Sequence, residues 1–230
     1  MTTDYVKESS FGVWFLGTRT WSTHVLTRAM NDLERLIGTR RRIAPVILDV
    51  GCGYGNSLVL LHDRFQPSRL IGIDIDPNMV AAATRRTNVC AITAEVHEAS
   101  AAKLPLDDAS VDIVFCHQTF HHLVDQNASL REFHRVLKPG GLLLFAESTR
   151  KYIYSWIIRL LFRHPMDVQR TGGEYIAMIK AAKFDAARDS ISFPYLWWSR
   201  ADLGILERWF GRTPPKDHEE TLVNVVAVRL

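Results

Sequence analysis

Residues 46–56 read VILDVGCGYGN. Five apolar-leaning residues, Val46 to Val50, run straight into three glycines spaced Gly51-x-Gly53-x-Gly55. A short apolar run bounded by a turn signal reads as a buried strand. Glycine tolerates positive φ and lets a second molecule approach the backbone closely. The turn therefore predicts a ligand lying against the chain at the end of a strand. Asp49 stands two residues before Gly51. A carboxylate at that depth is costly unless it meets a cation or donors, and a ligand carrying an ammonium or a sulfonium would supply one. Asp74 closes the next apolar run, 23 residues after Gly51. A carboxylate is acceptor-only and can take both hydroxyls of a ribose.

Two ligands fit these features. A dinucleotide turn, G-x-G-x-x-G, would put its third glycine at position 56, where this chain has Asn56 and carries the glycine one place earlier. That offset and Asp49 count against a nicotinamide oxidoreductase. The other ligand is a charged nucleoside. Both would sit at the carboxyl ends of the strands, at the switch point of a sheet.

Outward from the turn, strand and helix patterns alternate. Asn56–Phe65 is helical, Leu70–Ile73 a strand, and Pro77 opens a helix continued by Met79–Arg86. Val89–Val96 and Val111–Cys116 read as strands. A helix follows through Leu130, Phe133, Val136 and Leu137, stopped by Lys138-Pro139-Gly140-Gly141. Leu142–Ala146 is a fifth strand. This rhythm predicts a parallel α/β sheet. Upstream, Trp21, Val25, Met30, Leu33 and Ile37 share helical spacing up to Gly38. Downstream, Gly173–Lys183 reads as a helix, and Ala187–Phe193 and Leu222–Val228 as strands that add an antiparallel pair.

The chain has 230 residues, net charge +3, 47% hydrophobic and 23% charged residues. That is ordinary globular composition, too weakly basic to argue for nucleic acid. Cys52, Cys90 and Cys116 lack metal-ligand spacing, so neither a disulfide framework nor a metal site is expected. The polar N-terminus is no secretory signal, and no apolar run reaches the roughly 18–20 residues that span a bilayer. A cytoplasmic protein is expected.

The ordered stretches ILDVGCGYGNS, IGIDIDPNM, KLPLDDASVDIVFCHQTFHHL and EFHRVLKPGGLLLFAE resemble the motifs of class I S-adenosylmethionine-dependent methyltransferases. The branch they are most similar to includes ubiquinone and menaquinone methyltransferases. The resemblance covers about residues 45–148. It implies a doubly wound, Rossmann-like sheet of seven mostly parallel strands, one strand of the edge region antiparallel, under a small helical and aromatic cap. Residues 1–44 would form an N-terminal cap segment, 45–148 the cofactor core, and 149–230 the rest of the sheet with cap insertions at about 149–170 and 194–215.

Carried across residue by residue, the resemblance implies S-adenosylmethionine as cofactor. Gly51, Cys52 and Gly53 would form the turn against its methionine part and Asp49 would orient that end. Asp74 would hold the ribose hydroxyls, Ile75 and Met79 flank the adenine, and Cys116 offer its backbone carbonyl to the ammonium. The family commonly has an acidic residue before the L-P motif to meet the adenine amino group. This chain has Ser100-Ala101 there, with Glu98 as an alternative acceptor. After the fourth strand it has Cys116-His117-Gln118-Thr119 where nucleic-acid methyltransferases often carry an N/D-P-P-Y/F motif, which disfavours a nucleic-acid substrate.

Methyl transfer from a sulfonium is an in-line displacement that rests mainly on positioning. A base is needed only for an unionised acceptor. His117, His121 and His122 follow the fourth strand, where histidine would serve as base or acceptor-positioning group, or would merely pack or cap the next helix. All six tryptophans lie outside residues 45–148. Trp14, Trp21, Trp156, Trp197 and Trp198 are candidates to line a pocket for a hydrophobic or aromatic acceptor, against the plainer possibility that each packs its own segment onto the sheet. RKYIYSWIIRLLFRH (150–164) reads as a basic amphipathic helix: a lid, a dimer contact, or a weak contact with a membrane surface. The expected function is methyl transfer to oxygen, nitrogen or carbon of a hydrophobic small molecule, by a monomer or homodimer. The alternatives are a non-catalytic cofactor-binding partner protein and a methyltransferase acting on a lipid at a membrane surface.

Overall fold

A computed structural model describes residues 6–194, 205–212 and 221–230. One sheet contains β1 (Val46–Val50), β2 (Arg69–Asp74), β3 (Glu95–Glu98), β4 (Val111–His117), β5 (Leu137–Ser148), β6 (Phe184–Asp185), β7 (Ile191–Ser192) and β8 (Leu222–Arg229). The order is β3-β2-β1-β4-β5-β8-β6, with β7 also pairing β8. Strands β1 to β5 pair in parallel, and β8 runs antiparallel to β5. The two-residue strands β6 and β7 pair with β8 at Arg229 and at Val225. They act as one interrupted strand, so among the described residues the sheet has seven positions and one antiparallel member.

The helices are α1 (Ser10–Leu16), α2 (Arg19–Trp21), α3 (Thr27–Ile37), α4 (Asn56–Phe65), α5 (Pro77–Val89), α6 (Gln126–Val136), α7 (Arg150–Ile153), α8 (Trp156–Leu161), α9 (Gly172–Ala181) and α10 (Ile205–Phe210). Strand alternation sorts the core into two layers. Ile47, Ile113, Phe115 and Leu144 share a cluster with Met30 and Leu33 of α3 and Leu58 and Leu61 of α4. Leu48, Val50, Val114 and Phe145 share another with Leu130 and Phe133 of α6 and Tyr175 of α9. Successive strand side chains point to opposite faces, so a strand buried on both faces must be apolar throughout. Each such side chain contributes about 1.5–3 kcal/mol on burial.

From β1 the chain winds through β2 to β3 on one side, and then through β4 to β5 on the other. The carboxyl ends of β1 and β4 are therefore neighbours across the switch point, Val50 beside Cys116. This crevice holds the site.

Five local expectations need correction. Val89–Val96 is not a strand: α5 runs through Val89, which is exposed. Ala91 turns left-handed (φ 53°) and Ile92 N–H closes onto Thr87 O at 2.9 Å, so β3 begins only at Glu95. Ala187–Phe193 is broken by a 3-10 turn, Arg188–Ser190, where the Arg40 guanidinium holds Ser190 Oγ at 2.9 Å. The stretch ending at Gly38 is not uniform α-helix: a π turn, Ser22–Leu26, separates α2 from α3. Residues 150–164 break at Ser155, the N-cap of α8. Ile153 and Ile158 point inward while Trp156 and Leu160 stay exposed. Strand β5 is longer at both ends than Leu142–Ala146. No helix among the described residues is long and apolar enough to cross a membrane.

Candidate active site

The turn after β1 is held by backbone bonds from Gly51 and Cys52 N–H to Ile73 O, at 2.8 and 2.9 Å. Two glycines have separate reasons. A Cβ on Gly51 would collide with the Thr119 side chain. Gly53, at φ 50°, has nothing within 4 Å of where a Cβ would stand; its bare face opens on a cavity. The Gly53 N–H donates to Asp74 Oδ2 at 2.9 Å, and Asp76 N–H to Asp74 Oδ1 at 3.0 Å. One carboxylate thus bridges the turn and the end of β2 with lone pairs left over. Burial pushes the Asp74 carboxyl up, against those two bonds.

Asp49 is buried and accepts the Ser57 hydroxyl at 2.5 Å. Burial raises its pKa to about 7; the Ser57 bond works against this and the nearby Asp74 charge adds to it. A buried carboxyl this close to neutrality fits a site that receives a cation. The Cys52 thiol in the same turn is pushed up by burial and by Asp49 and Asp74, so it stays protonated.

At the end of β4, His117 stacks on Phe115 with ring centroids 5.9 Å apart and meets Trp21 edge-on at 5.5 Å. Its buried Nε2 has no hydrogen-bond partner. Burial, and then His121, lower its pKa to about 3, so it is neutral. His121 differs: its Nδ1 lies 2.6 Å from Glu147 Oε2. Glu147, fully buried at the end of β5, also accepts Thr119 and Phe120 N–H on Oε1 at 2.8 Å each. Burial, His121 and His164 hold His122 well below its usual pKa.

Asp49, Gly53, Asp74 and the histidines 117, 121 and 122 open on one cavity of about 610 Å³, with Glu147 buried behind them. Its outer wall is aromatic and comes from two distant segments. Phe162, after α8, meets Phe11 and Phe15 of α1 edge-on at 5.6 and 6.0 Å. The segments are tied by Ser9 Oγ donating to Leu161 O at 2.6 Å and Arg163 N–H to Glu8 Oε1 at 2.8 Å.

The structure brings together most of the residues singled out in the sequence. Asp49, Gly51, Cys52, Gly53, Asp74 and Ile75 line the cavity, as do Met79, Ser100, Ala101 and Trp21, and the histidines 117, 121 and 122. Ser100 Oγ accepts Ala102 N–H at 3.2 Å within its own turn; Glu98 does not line the cavity. Trp14 and Trp156 do not line it either, being 62% and 70% exposed. The Cys116 side chain is buried away from it, its Sγ 3.7 Å from Glu147 Oε1. Trp197 and Trp198 lie outside the described residues. The sequence reading missed Glu147, Thr119, Phe162 and His164. Glu147 carried a usable signal, since it stands at or next to the carboxyl end of an apolar strand as Asp49 and Asp74 do.

Residues 48–145 match the sequence profile of a family described as "Methyltransferase domain". The chain is 32% identical over 133 residues to the demethylmenaquinone methyltransferase of Deinococcus radiodurans, covering 57% of this chain and 54% of that one. It is 36% identical over 106 residues to malonyl-[acyl-carrier protein] O-methyltransferase 1 of Coxiella burnetii, covering 46% and 34%. The match spans about half of the first relative and a third of the second. The fold is shared with a crystal structure of a SAM dependent methyltransferase from Aquifex aeolicus, with TM-score 0.69 and 19% identity over 95% of this chain and 97% of that one. Residues 48–145 thus match a methyltransferase domain, the relatives named above are themselves methyltransferases, and the fold is that of a SAM dependent methyltransferase.

Proposed function

We propose that this protein transfers a methyl group from S-adenosylmethionine to an apolar, ring-bearing small molecule. The observation that carries this is the continuity of the cavity. One end is the bare Gly53 face between Asp49 and Asp74, and the other is a chamber walled by Phe11, Phe15, Phe162 and Leu161. Its volume falls within the roughly 300–1,000 Å³ of small-molecule sites.

The residues present fit the cofactor. Asp74 offers acceptors to a ribose diol, Asp49 a counter-charge to a cation, and Gly53 the space for both. When bound, S-adenosylmethionine supplies an electrophilic methyl on a positively charged sulfur. The aromatic walls hold a flat acceptor in line with that methyl, and alignment of this kind can contribute roughly 7–11 kcal/mol. An acceptor lone pair would take that methyl while the carbon–sulfur pair stays on a sulfur that leaves neutral. An acceptor that begins protonated must lose its proton. Of the three histidines singled out above, His121 is the one built for this: Glu147 at Nδ1 fixes the tautomer and stabilises an imidazolium, leaving Nε2 as acceptor. His117, with no such partner, positions the ring.

The relatives named above act on a quinone precursor and on an acyl-carrier thioester by their names. The aromatic walls favour the former shape here. Incubation with methyl-labelled cofactor and a panel of quinols, phenols and fatty acyl acceptors tests this. Label should pass to a quinol or phenol; cofactor binding with no transfer to any of them would reject an acceptor of this class and favour a non-catalytic binding protein.

One observation favours a lipid-borne acceptor as a second reading. Trp156 and Leu160 of α8 and Trp14 of α1 are exposed on the outside of the cap, beside Arg159 and Arg163. Such a rim suits an interface between water and lipid.

A further inference from the structure

We infer that His121, His122 and His164 form a binding site for one divalent transition-metal ion of the zinc type, with its open coordination position toward the acceptor chamber. Each residue offers one ring nitrogen, and the three lie within 4.8 Å of one another. Ring centroids are 4.3 Å apart for His121 and His122, 5.1 Å for His121 and His164, and 4.8 Å for His122 and His164. Zn–N bonds of about 2.0–2.1 Å in a tetrahedron put ligand nitrogens roughly 3.3 Å apart, so the set has to close by about 1.5 Å at most around an ion.

Three features point to a metal rather than to packing. The first is the buttress behind His121. Glu147 takes its Nδ1 at 2.6 Å and is itself fixed by two backbone N–H groups. A carboxylate behind an imidazole is the arrangement that sets the tautomer and raises the basicity of a metal ligand. The second is charge. Glu8 Oε2 stands 3.8 Å from His122 Nε2, while Glu8 Oε1 is held by Ser9 N–H and Arg163 N–H. A dication between three imidazoles would face two carboxylates, Glu147 behind His121 and Glu8 beside His122, as counter-charges outside its ligand set. The third is provenance. His121 and His122 come from the 3-10 turn after β4, His164 from the segment after α8, and Glu8 from the N-terminal segment. Imidazole with a carboxylate selects Zn²⁺, Co²⁺ or Cu²⁺ over Mg²⁺ or Ca²⁺.

All four residues line the cavity. An ion there would tie the two cap segments to the core and could take an acceptor oxygen, nitrogen or sulfur as its last ligand. A heteroatom so held gives up its proton more readily, to solvent water, so with the ion bound His121 serves as ligand, and as base only without it. This role rests on the function proposed above; the metal site itself does not.

The full chain, stripped with chelator, is titrated with Zn²⁺ by calorimetry and with Co²⁺ by visible absorption. One ion per chain with the d–d bands of a four-coordinate nitrogen site is expected. His164→Ala and His122→Ala should each weaken binding at least about tenfold, and Glu8→Gln by a smaller factor. Circular dichroism confirms that each variant is folded. No binding, or binding unchanged in folded His164→Ala, would overturn the site and leave a packing cluster only. S-adenosylhomocysteine titrated into the same wild-type sample separates the two failures. Cofactor heat without metal heat rejects only the metal site, and the reverse rejects the cofactor turn.

Discussion

Asp74→Asn is the most informative single change at the cofactor end. The carboxylate uses Oδ2 for Gly53 N–H and Oδ1 for Asp76 N–H, at 2.9 and 3.0 Å. Each oxygen keeps a lone pair for one hydroxyl of a vicinal diol. An amide preserves the shape but has one acceptor oxygen, so it can serve one backbone donor and one hydroxyl. A hydrogen bond to a charged group contributes about 1.5–3 kcal/mol, and 1.4 kcal/mol is a tenfold change in affinity. The dissociation constant for S-adenosylhomocysteine should therefore rise about 10- to 100-fold. The lost partner of Gly53 or Asp76 should also lower the melting temperature slightly. Isothermal calorimetry of wild type and variant, with thermal unfolding of both, reads the two effects apart. Unchanged affinity in a folded variant would refute the assignment of Asp74 to the ribose.

Further outcomes follow from the same geometry. The pKa of Asp49, about 7 in the folded protein against 3.8 as its usual value, leaves it largely protonated at pH 6. Its raised value favours the folded state fully below pH 3.8, and that contribution disappears as pH rises through 7. A cationic ligand must ionise it, so cofactor affinity should rise with pH up to about 7. Binding at pH 6 should release a proton, seen as different heats in two buffers; identical heats would contradict it. In Gly53→Ala, a left-handed alanine costs roughly 1–2 kcal/mol of stability. Its methyl overpacks the cofactor cradle by about 1–3 kcal/mol, so affinity should fall more than stability, as calorimetry and urea unfolding would show. Glu147→Gln removes the charged acceptor that serves Thr119, Phe120 and His121. It should cost about 1.5–3 kcal/mol in urea unfolding and shift the pH–rate profile; a purely structural Glu147 would leave that profile in place.

The half of the site proposed to hold the cofactor was legible because its determinants are local. Asp49, the glycine turn and Asp74 lie on two successive strands and their loops, and strand ends announce themselves as apolar runs closed by an acid. Glu147 stands the same way in LLLFAES, but its partners, Thr119 to His121, come from another strand's loop and local sequence does not show them. The acceptor half was less legible. The aromatic content of the cap was visible, but which rings face inward depends on where helices break. Ser155 splits residues 150–164, turning Ile158 in and Trp156 out, and a continuous helical face could not show that. His164 joined His121 and His122 only through tertiary contact, so cysteine and histidine spacing gave no metal site. Val89–Val96 reads as a strand in the sequence, but the last turn of α5 takes Val89 to the surface.

The most direct test is a crystal structure with S-adenosylhomocysteine bound. The ribose should lie on Asp74, the amino acid end near Asp49, and the sulfur should face the chamber between Phe162 and His121. A nucleoside bound elsewhere, or a sulfur turned toward bulk water with the aromatic chamber behind it closed, would contradict a methyl-transfer site in this cavity.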